Sequence, residues 1–257
     1  MRLPFLQATE ERSLRQPAPS LVPAVPGAQI AALYHGARMG GDFYDFAVSP
    51  CGRLIFLLLD IAGKRQQALD IAAAVQELFR EKAPELFRDE DTNQSDALNE
   101  LGVLLNRAVL KAADGVRHAP AFLGSFDSRL GLLTFVNAGH TPALLKDPGG
   151  VTLLKANGIP LGLFSHATHD AAVAAVEPGA AVLLVSKGLV ESRSGSKEFG
   201  LDRVLEVLQG REFRDAQEIC SSTLAAVQAF SRKRAPENDI TALALLRAPQ
   251  ARAGVLP

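Results

Sequence analysis

Gly40-Gly41-Asp42-Phe43-Tyr44-Asp45-Phe46 and, one turn later, Leu57-Leu58-Leu59-Asp60-Ile61-Ala62-Gly63 carry the reading that decides the fold. The two halves read as strands over 42 to 48 and 53 to 61, joined by Ser49-Pro50-Cys51-Gly52. Proline second and glycine fourth suit a type I turn, so the pair is a hairpin. It places Asp42, after two glycines, and Asp60, at the end of an apolar strand, near one sheet edge, where two carboxylates can meet a hard cation. Asp and Gly are also ordinary turn residues, so spacing alone leaves a purely structural reading beside the metal one.

Working outward, a strand is expected over 29 to 35 and helices follow the hairpin. From 65 to 82, Ala68, Ile71, Ala72, Val75, Leu78 and Phe79 recur at three- and four-residue steps, which predicts one buried helical stripe. Leu98, Leu101, Leu104, Leu105, Ala108 and Val109 repeat the pattern in a helix expected to be capped at Ser95, with a charged loop from Pro84 to Asn93 between them. Strands return at 121 to 126, 131 to 137, 143 to 146 and 151 to 154 as meander-like hairpins, then at 171 to 176 and 180 to 186. Helices at 201 to 208 and 216 to 230 and a strand at 240 to 246 complete the order. Strands and helices come in runs, which predicts an α+β domain of antiparallel sheets covered by helices over a doubly wound parallel sheet.

Pro17, Pro19, Pro23 and Pro26 make residues 1 to 28 an extended lead-in; the folded domain is expected over 29 to 248, with 249 to 257 a frayed tail. The 257 residues carry 27 Lys+Arg against 28 Asp+Glu, a formal charge of −1. That balance argues against a protein that works by coating nucleic acid or anionic lipid. The longest apolar runs are six residues (54 to 59, 171 to 176 and 180 to 185), against roughly 20 for a spanning helix. With no secretory signal at the start, the expected location is the cytoplasm. Cys51 and Cys220 alone make no disulfide framework or zinc cluster.

Phosphate-loop, dinucleotide, hydrolase-elbow and zincin motifs are absent from the sequence. Ser194-Gly195-Ser196-Lys197 matches SxxK but falls in a polar turn, and His166 and His169 lack a third ligand and are expected in solvent.

With these segments in hand, the sequence resembles the SpoIIE/RsbU branch of the metal-dependent PPM serine/threonine phosphatases across nearly its whole length. The landmarks are GGDFYDF at 40 to 46, LLLDIAG at 57 to 63, NAGHTPALL at 137 to 145, GIPLGLF at 158 to 164, VLLVSKGLVESR at 182 to 193, EFGLDRV at 198 to 204 and NDITALALLR at 238 to 247. The resemblance implies an α-β-β-α sandwich of two antiparallel sheets flanked by helices. It implies a pair of manganese or magnesium ions whose bridging water attacks a phosphoserine or phosphothreonine. It also implies a protein partner, such as an anti-sigma-factor antagonist of a partner-switching pathway. Asp42 and Asp60 match the first two acidic ligand positions, and the Ile61 carbonyl stands where a backbone ligand is expected.

Three segments depart from the family's pattern. Thr-Asp-Gly reads here Ser186-Lys187-Gly188, and Asp-Asp-Ile-Thr reads Asn238-Asp239-Ile240-Thr241. The usual Ser-Gly-His-Gly after the second aspartate reads Ala62-Gly63-Lys64-Arg65. A lysine ammonium about 5 Å from a divalent ion repels it by roughly 6 to 7 kcal/mol at an effective dielectric near 20. The leading expectation is therefore a pseudophosphatase that needs no metal and acts by binding a partner, with Lys187 in a vacated metal position paired to Asp42 or Asp60. The alternatives are a residual manganese- or magnesium-dependent phosphatase, with Lys187 in solvent and Asp239 substituting for Asn238, and a catalytic role for Lys187 itself. A structural module that homodimerises is a further class. No catalytic residue is assigned; Asn137 to His140 read as a tight turn and 158 to 164 as an apolar loop.

Overall fold

The computed structural model describes residues 16–36, 41–63, 65–112, 118–232 and 234–249. Expectations for residues 1 to 15, Gly40, Lys64 and residues 250 to 257 lie outside the described residues.

The hairpin that opened the reading is β2 (Asp42–Val48) and β3 (Leu54–Asp60). Its turn closes with the Gly52 N–H on the Ser49 carbonyl at 2.9 Å. Every β3 residue from Leu54 to Leu59 is buried, because the strand is covered on both faces. Ile55, Leu57 and Leu59 point to helices α1 (Arg65–Leu86) and α2 (Gln94–Ala112), where they meet Ile71, Val75, Phe79, Leu98 and Leu101. Leu54, Phe56 and Leu58 point the other way, into a core shared with a second sheet. Alternation with period two thus sorts one unbroken apolar run into two cores.

The first sheet runs β2-β3-β4-β5-β8, with β4 (Ala121–Asp127), β5 (Leu132–Ala138) and β8 (Ala172–Ala175). The second runs β1-β12-β9-β6-β7, with β1 (Ala28–His35), β6 (Ala143–Asp147), β7 (Gly150–Leu154), β9 (Ala181–Val185) and β12 (Ile240–Arg247). All neighbouring strands in both are antiparallel. Val182, Leu184, Leu243 and Leu245 face the first sheet. Leu183, Val185, Ala242 and Ala244 face α4 (Gly200–Gln209) and α5 (Ala216–Phe230), against Val204, Leu208, Ile219 and Val227. The result is helix, sheet, sheet, helix, the sandwich the sequence implies. Each fully buried Leu or Phe contributes about 1.5–3 kcal/mol, so the three cores drive the layering.

Four local expectations are corrected. α1 continues through Pro84 to Leu86, because Ala83 and Phe87 are drawn fully into the first core and Pro84 falls within the last turn. The cap of α2 is Asn93, whose Oδ1 accepts the N–H groups of Ser95 at 3.0 Å and Asp96 at 3.3 Å. The strands 121 to 154 are not one meander: β5 and β6 lie in different sheets, and Asn137 holds the crossing, its Oδ1 accepting from the His140 N–H at 2.9 Å. His169 is 4% exposed, wedged between Gly102 and Gly158 instead of standing in solvent. Three short elements had no signal: α3 (Lys187–Val190) and the two-residue strands β10 (Arg193–Ser194) and β11 (Lys197–Glu198).

The proline-rich lead-in is tied down where it is described. Gln76 of α1 clasps Ala18 from both sides, Oε1 accepting its N–H at 2.7 Å and Nε2 donating to its carbonyl at 2.9 Å. Ser20 donates to the Tyr44 carbonyl on the edge of β2 at 2.6 Å. No described helix is long and apolar enough to cross a membrane.

Candidate functional site

The hairpin register sets the site. Asp42 opens β2 and Asp60 closes β3, and the two are direct cross-strand partners. Like charges facing each other repel, so something must hold them. The N–H of Ile61 reaches the Gly41 carbonyl at 3.0 Å, extending the ladder one step past the aspartates. A Cβ at Gly41 would lie 2.2 Å from the Ile61 carbonyl oxygen, so only glycine permits this approach.

The second sheet supplies the donors. Thr241 of β12 donates its hydroxyl to Asp42 Oδ2 at 2.6 Å. The Ser186 hydroxyl, just past β9, also bonds Asp42 and accepts the Thr241 N–H at 3.0 Å. Burial nevertheless pushes the Asp42 carboxyl well above its ordinary range, with the charge of Asp60 adding to the rise and the hydroxyls opposing it. Asp60 is raised too, first by burial; the ammonium of Lys187 and a bond from the Lys187 backbone N–H work against the rise.

Lys187 therefore touches Asp60 through its main chain. Its ammonium pairs with Glu191 at 3.4 Å, one turn along α3, and the side chain is 62% exposed. Pairing of that ammonium with Asp42 or Asp60 is not what the structure contains. Asn238 is exposed, while Asp239 beside it is buried and takes the Tyr34 hydroxyl on Oδ2 at 2.9 Å. Burial first, and then this bond, push Tyr34 up to about 12. Gly188 sits so close that a Cβ there would lie 2.2 Å from the Asp239 carbonyl oxygen, which binds the loop before β12 to α3.

The sequence pointed to Asp42, Asp60, Ile61, Lys187, Asn238 and Asp239, and the fold gathers them at one end of the sandwich. It missed Ser186, Thr241, Tyr34 and Glu191 as their partners. Ser186 and Thr241 stand inside quoted landmarks and were legible as hydroxyls beside charged positions. Tyr34 carries no such signal, since its strand reaches Asp239 only by tertiary pairing.

The donor set does not fit a pair of divalent ions. Among the described residues no three His, Cys, Asp or Glu side chains converge closely enough to hold a metal. Asp239 is engaged by Tyr34, Asn238 is neutral, and Lys187 brings a cation where an anion would be required. Next to Gly188 and Asn238 lies a cavity of about 750 Å³, whose wall also carries Glu191, Arg193 and Arg234.

A family model, Stage II sporulation protein E (SpoIIE), matches residues 50–248. The chain is 26% identical over 212 residues to Protein IcfG of Synechocystis, covering 74% of this chain and 33% of that protein. Among solved structures it resembles the RsbU and RsbW domains of a Mycobacterium tuberculosis protein, with a TM-score of 0.67 and 24% identity over 90% of this chain and 64% of the other. It also resembles the PP2C phosphatase domain of SpoIIE from Bacillus subtilis, with a TM-score of 0.69 and 16% identity over 86% of this chain and 64% of that one. The chain thus spans a third of the curated relative and about two thirds of these two structures, whose likeness establishes the fold.

Proposed function

This chain belongs to the SpoIIE family, and on that premise we propose that it is a signalling protein with the phosphatase fold that binds a protein partner without hydrolysing phosphate. The observation that carries the reading is Lys187. It stands at an acidic ligand position of the family pattern, its N–H is spent on Asp60, and its ammonium lies next to Glu191. With Asn238 also neutral, Asp42 and Asp60 are left as the carboxylate pair for a site that normally concentrates four positive charges. The partner class follows from the resemblance and is supported by the M. tuberculosis relative, in which an RsbU domain is found with an RsbW domain: a switch protein, such as an anti-sigma-factor antagonist. The working unit is residues 29 to 248, and its setting is the cytoplasm.

The second reading, a manganese- or magnesium-dependent phosphatase with an atypical centre, draws on the same facing pair, Asp42 and Asp60, and on the turn of the Lys187 ammonium toward solvent. Calorimetric manganese titration of the natural chain beside a Lys187→Asp/Asn238→Asp variant, each then assayed on a phosphoserine peptide, separates the two. The expected outcome is manganese binding by the double variant alone. Manganese binding with phosphate release by the natural chain would establish the second reading instead.

A further inference from the structure

His169 lies against Gly102 of α2 and Gly158 of the loop before β8, 4% exposed, and neither ring nitrogen has a hydrogen-bond partner among the described residues. Both glycines make room for it. A Cβ at Gly158 would lie 2.5 Å from Nδ1, and one at Gly102 would lie 3.2 Å from Cδ2. Neither glycine has a positive φ that would call for glycine on its own account, and inside a helix glycine costs stability relative to alanine. The fold thus keeps a slot for an imidazole that bonds to nothing, where an aliphatic side chain would bury at less cost. We propose that His169 is a pH-sensitive latch: neutral, it seats the loop from 157 to 170 on α2, and protonated, it leaves the slot and loosens the loop's hold on the Asp60 end of the first sheet.

Three observations carry it. The slot suits the neutral ring alone, because an imidazolium has two N–H donors to satisfy and neither nitrogen has an acceptor in reach. The buried face of α2 carries no charged side chain, β4 brings Leu123 to the same glycine, and the charge that bears on the ring is the exposed Asp170 beside it. Burial holds the imidazole below its ordinary 6.5 and Asp170 opposes this, so the latch is fully closed above pH 6.5 and opens as pH falls through the lowered value. The loop also has a path to the site. Asn157 ties its two ends, accepting the Asn137 N–H at 2.7 Å and donating to the Asp170 carbonyl at 2.8 Å. Leu161 exchanges two backbone bonds with Ala119, at 2.8 and 3.0 Å, and Pro120, the next residue, accepts the Asp60 N–H at 2.9 Å. Asn106 holds Gly162 and Phe164 whatever the pH, so release is local and falls on its two flanks, 157 to 161 and 165 to 170.

The test follows amide hydrogen exchange of the full chain between pH 7.5 and 5.0, corrected for the intrinsic pH dependence of exchange. The expected result is about a tenfold loss of protection over 157 to 161 and 165 to 170, with a smaller rise at Asp60, while β9 and the middle of β3 stay protected. His169→Leu, of similar volume and unable to titrate, should remove the transition, whereas His140→Gln and His166→Gln should keep it. Gly158→Ala should expel the ring and give the acid pattern already at pH 7.5. Asp170→Asn, exposed and outside the slot, should move the transition to lower pH, which decides the matter even if His169→Leu fails to fold. Unchanged loop protection at pH 5.0, the same transition in His169→Leu, or an unmoved transition in Asp170→Asn would overturn the proposal. So would loss of loop and β3 protection together, since that is unfolding of the whole sandwich.

Discussion

Asp42 shows most directly how this site trades stability for charge. Its carboxyl is raised by burial and by Asp60 facing it, so at neutral pH its ionised form weakens the fold. Asp42→Asn should therefore raise Tm in EDTA, since the amide keeps an acceptor for Thr241 and removes the repulsion; a drop in Tm would mean that the carboxylate is needed as a charge. His140 gives a pH dependence of known sign. Burial lowers it from its ordinary 6.5 to about 4, so protonation favours the unfolded chain. The stability it contributes is complete above pH 6.5 and is lost as pH falls toward 4, about 3 kcal/mol in all. Asp42 and Asp60, raised above their ordinary range, act with the opposite sign as pH falls. Urea unfolding of the natural chain and His140→Gln between pH 7.5 and 4.5 should thus show a steeper acid loss in the natural chain. At this scale the sequence disclosed the identities and not the contacts. Asp42, Asp60 and Lys187 were legible because fixed motifs surround them. The turn of Lys187 to Glu191 was not, since it depends on a four-residue helix with no periodicity to read.

Elements were legible in proportion to their periodicity. β3 and β9 announced themselves as apolar runs, α1 and α2 as stripes, and each was placed within a few residues. One failure came where burial overruled local chemistry. Pro84 reads as a helix stop, yet the fully buried Ala83 and Phe87 hold the turn in place. Ser95 reads as the cap of α2, yet the Asn93 side chain takes that role, accepting the N–H groups of Ser95 and Asp96. Asn93→Ala should cost about 1 kcal/mol, lowering Tm by roughly 2–4 °C in a chain of this size, while Ser95→Ala should leave Tm within error. The loop from Gly158 to Phe164 is pinned to α2 by Asn106, which donates to the Phe164 carbonyl at 3.0 Å and accepts from the Gly162 N–H at 2.7 Å. Asn106→Leu should leave both loop groups unpaired, and hydrogen exchange should rise at Gly162 ahead of the strands.

For the molecule as a whole, the sandwich depends on the core between its sheets, where Phe56 stacks on Phe122 at 6.2 Å and Phe122 on Phe135 at 5.5 Å. Phe56→Ala should cost about 3–5 kcal/mol, and urea unfolding should report the loss as one cooperative transition if the layers stand or fall together. The layered class was readable from the order of strands and helices, whereas the partition of strands between sheets was not, because it is made by Asn137 at a crossing that looks like any other turn. The pairing of β1 with β12, from Ala28 against Arg247 to His35 against Ile240, has a consequence for how the chain is made. The first sheet uses residues 42 to 175 and can assemble once they leave the ribosome. The second has its latest-synthesised strand between β1 and β9, so it stays divided until β12 has been made. During that interval β1 waits without a neighbour and the inner face of the first sheet stands open, which makes the nascent chain, more than the finished one, the form a chaperone would meet.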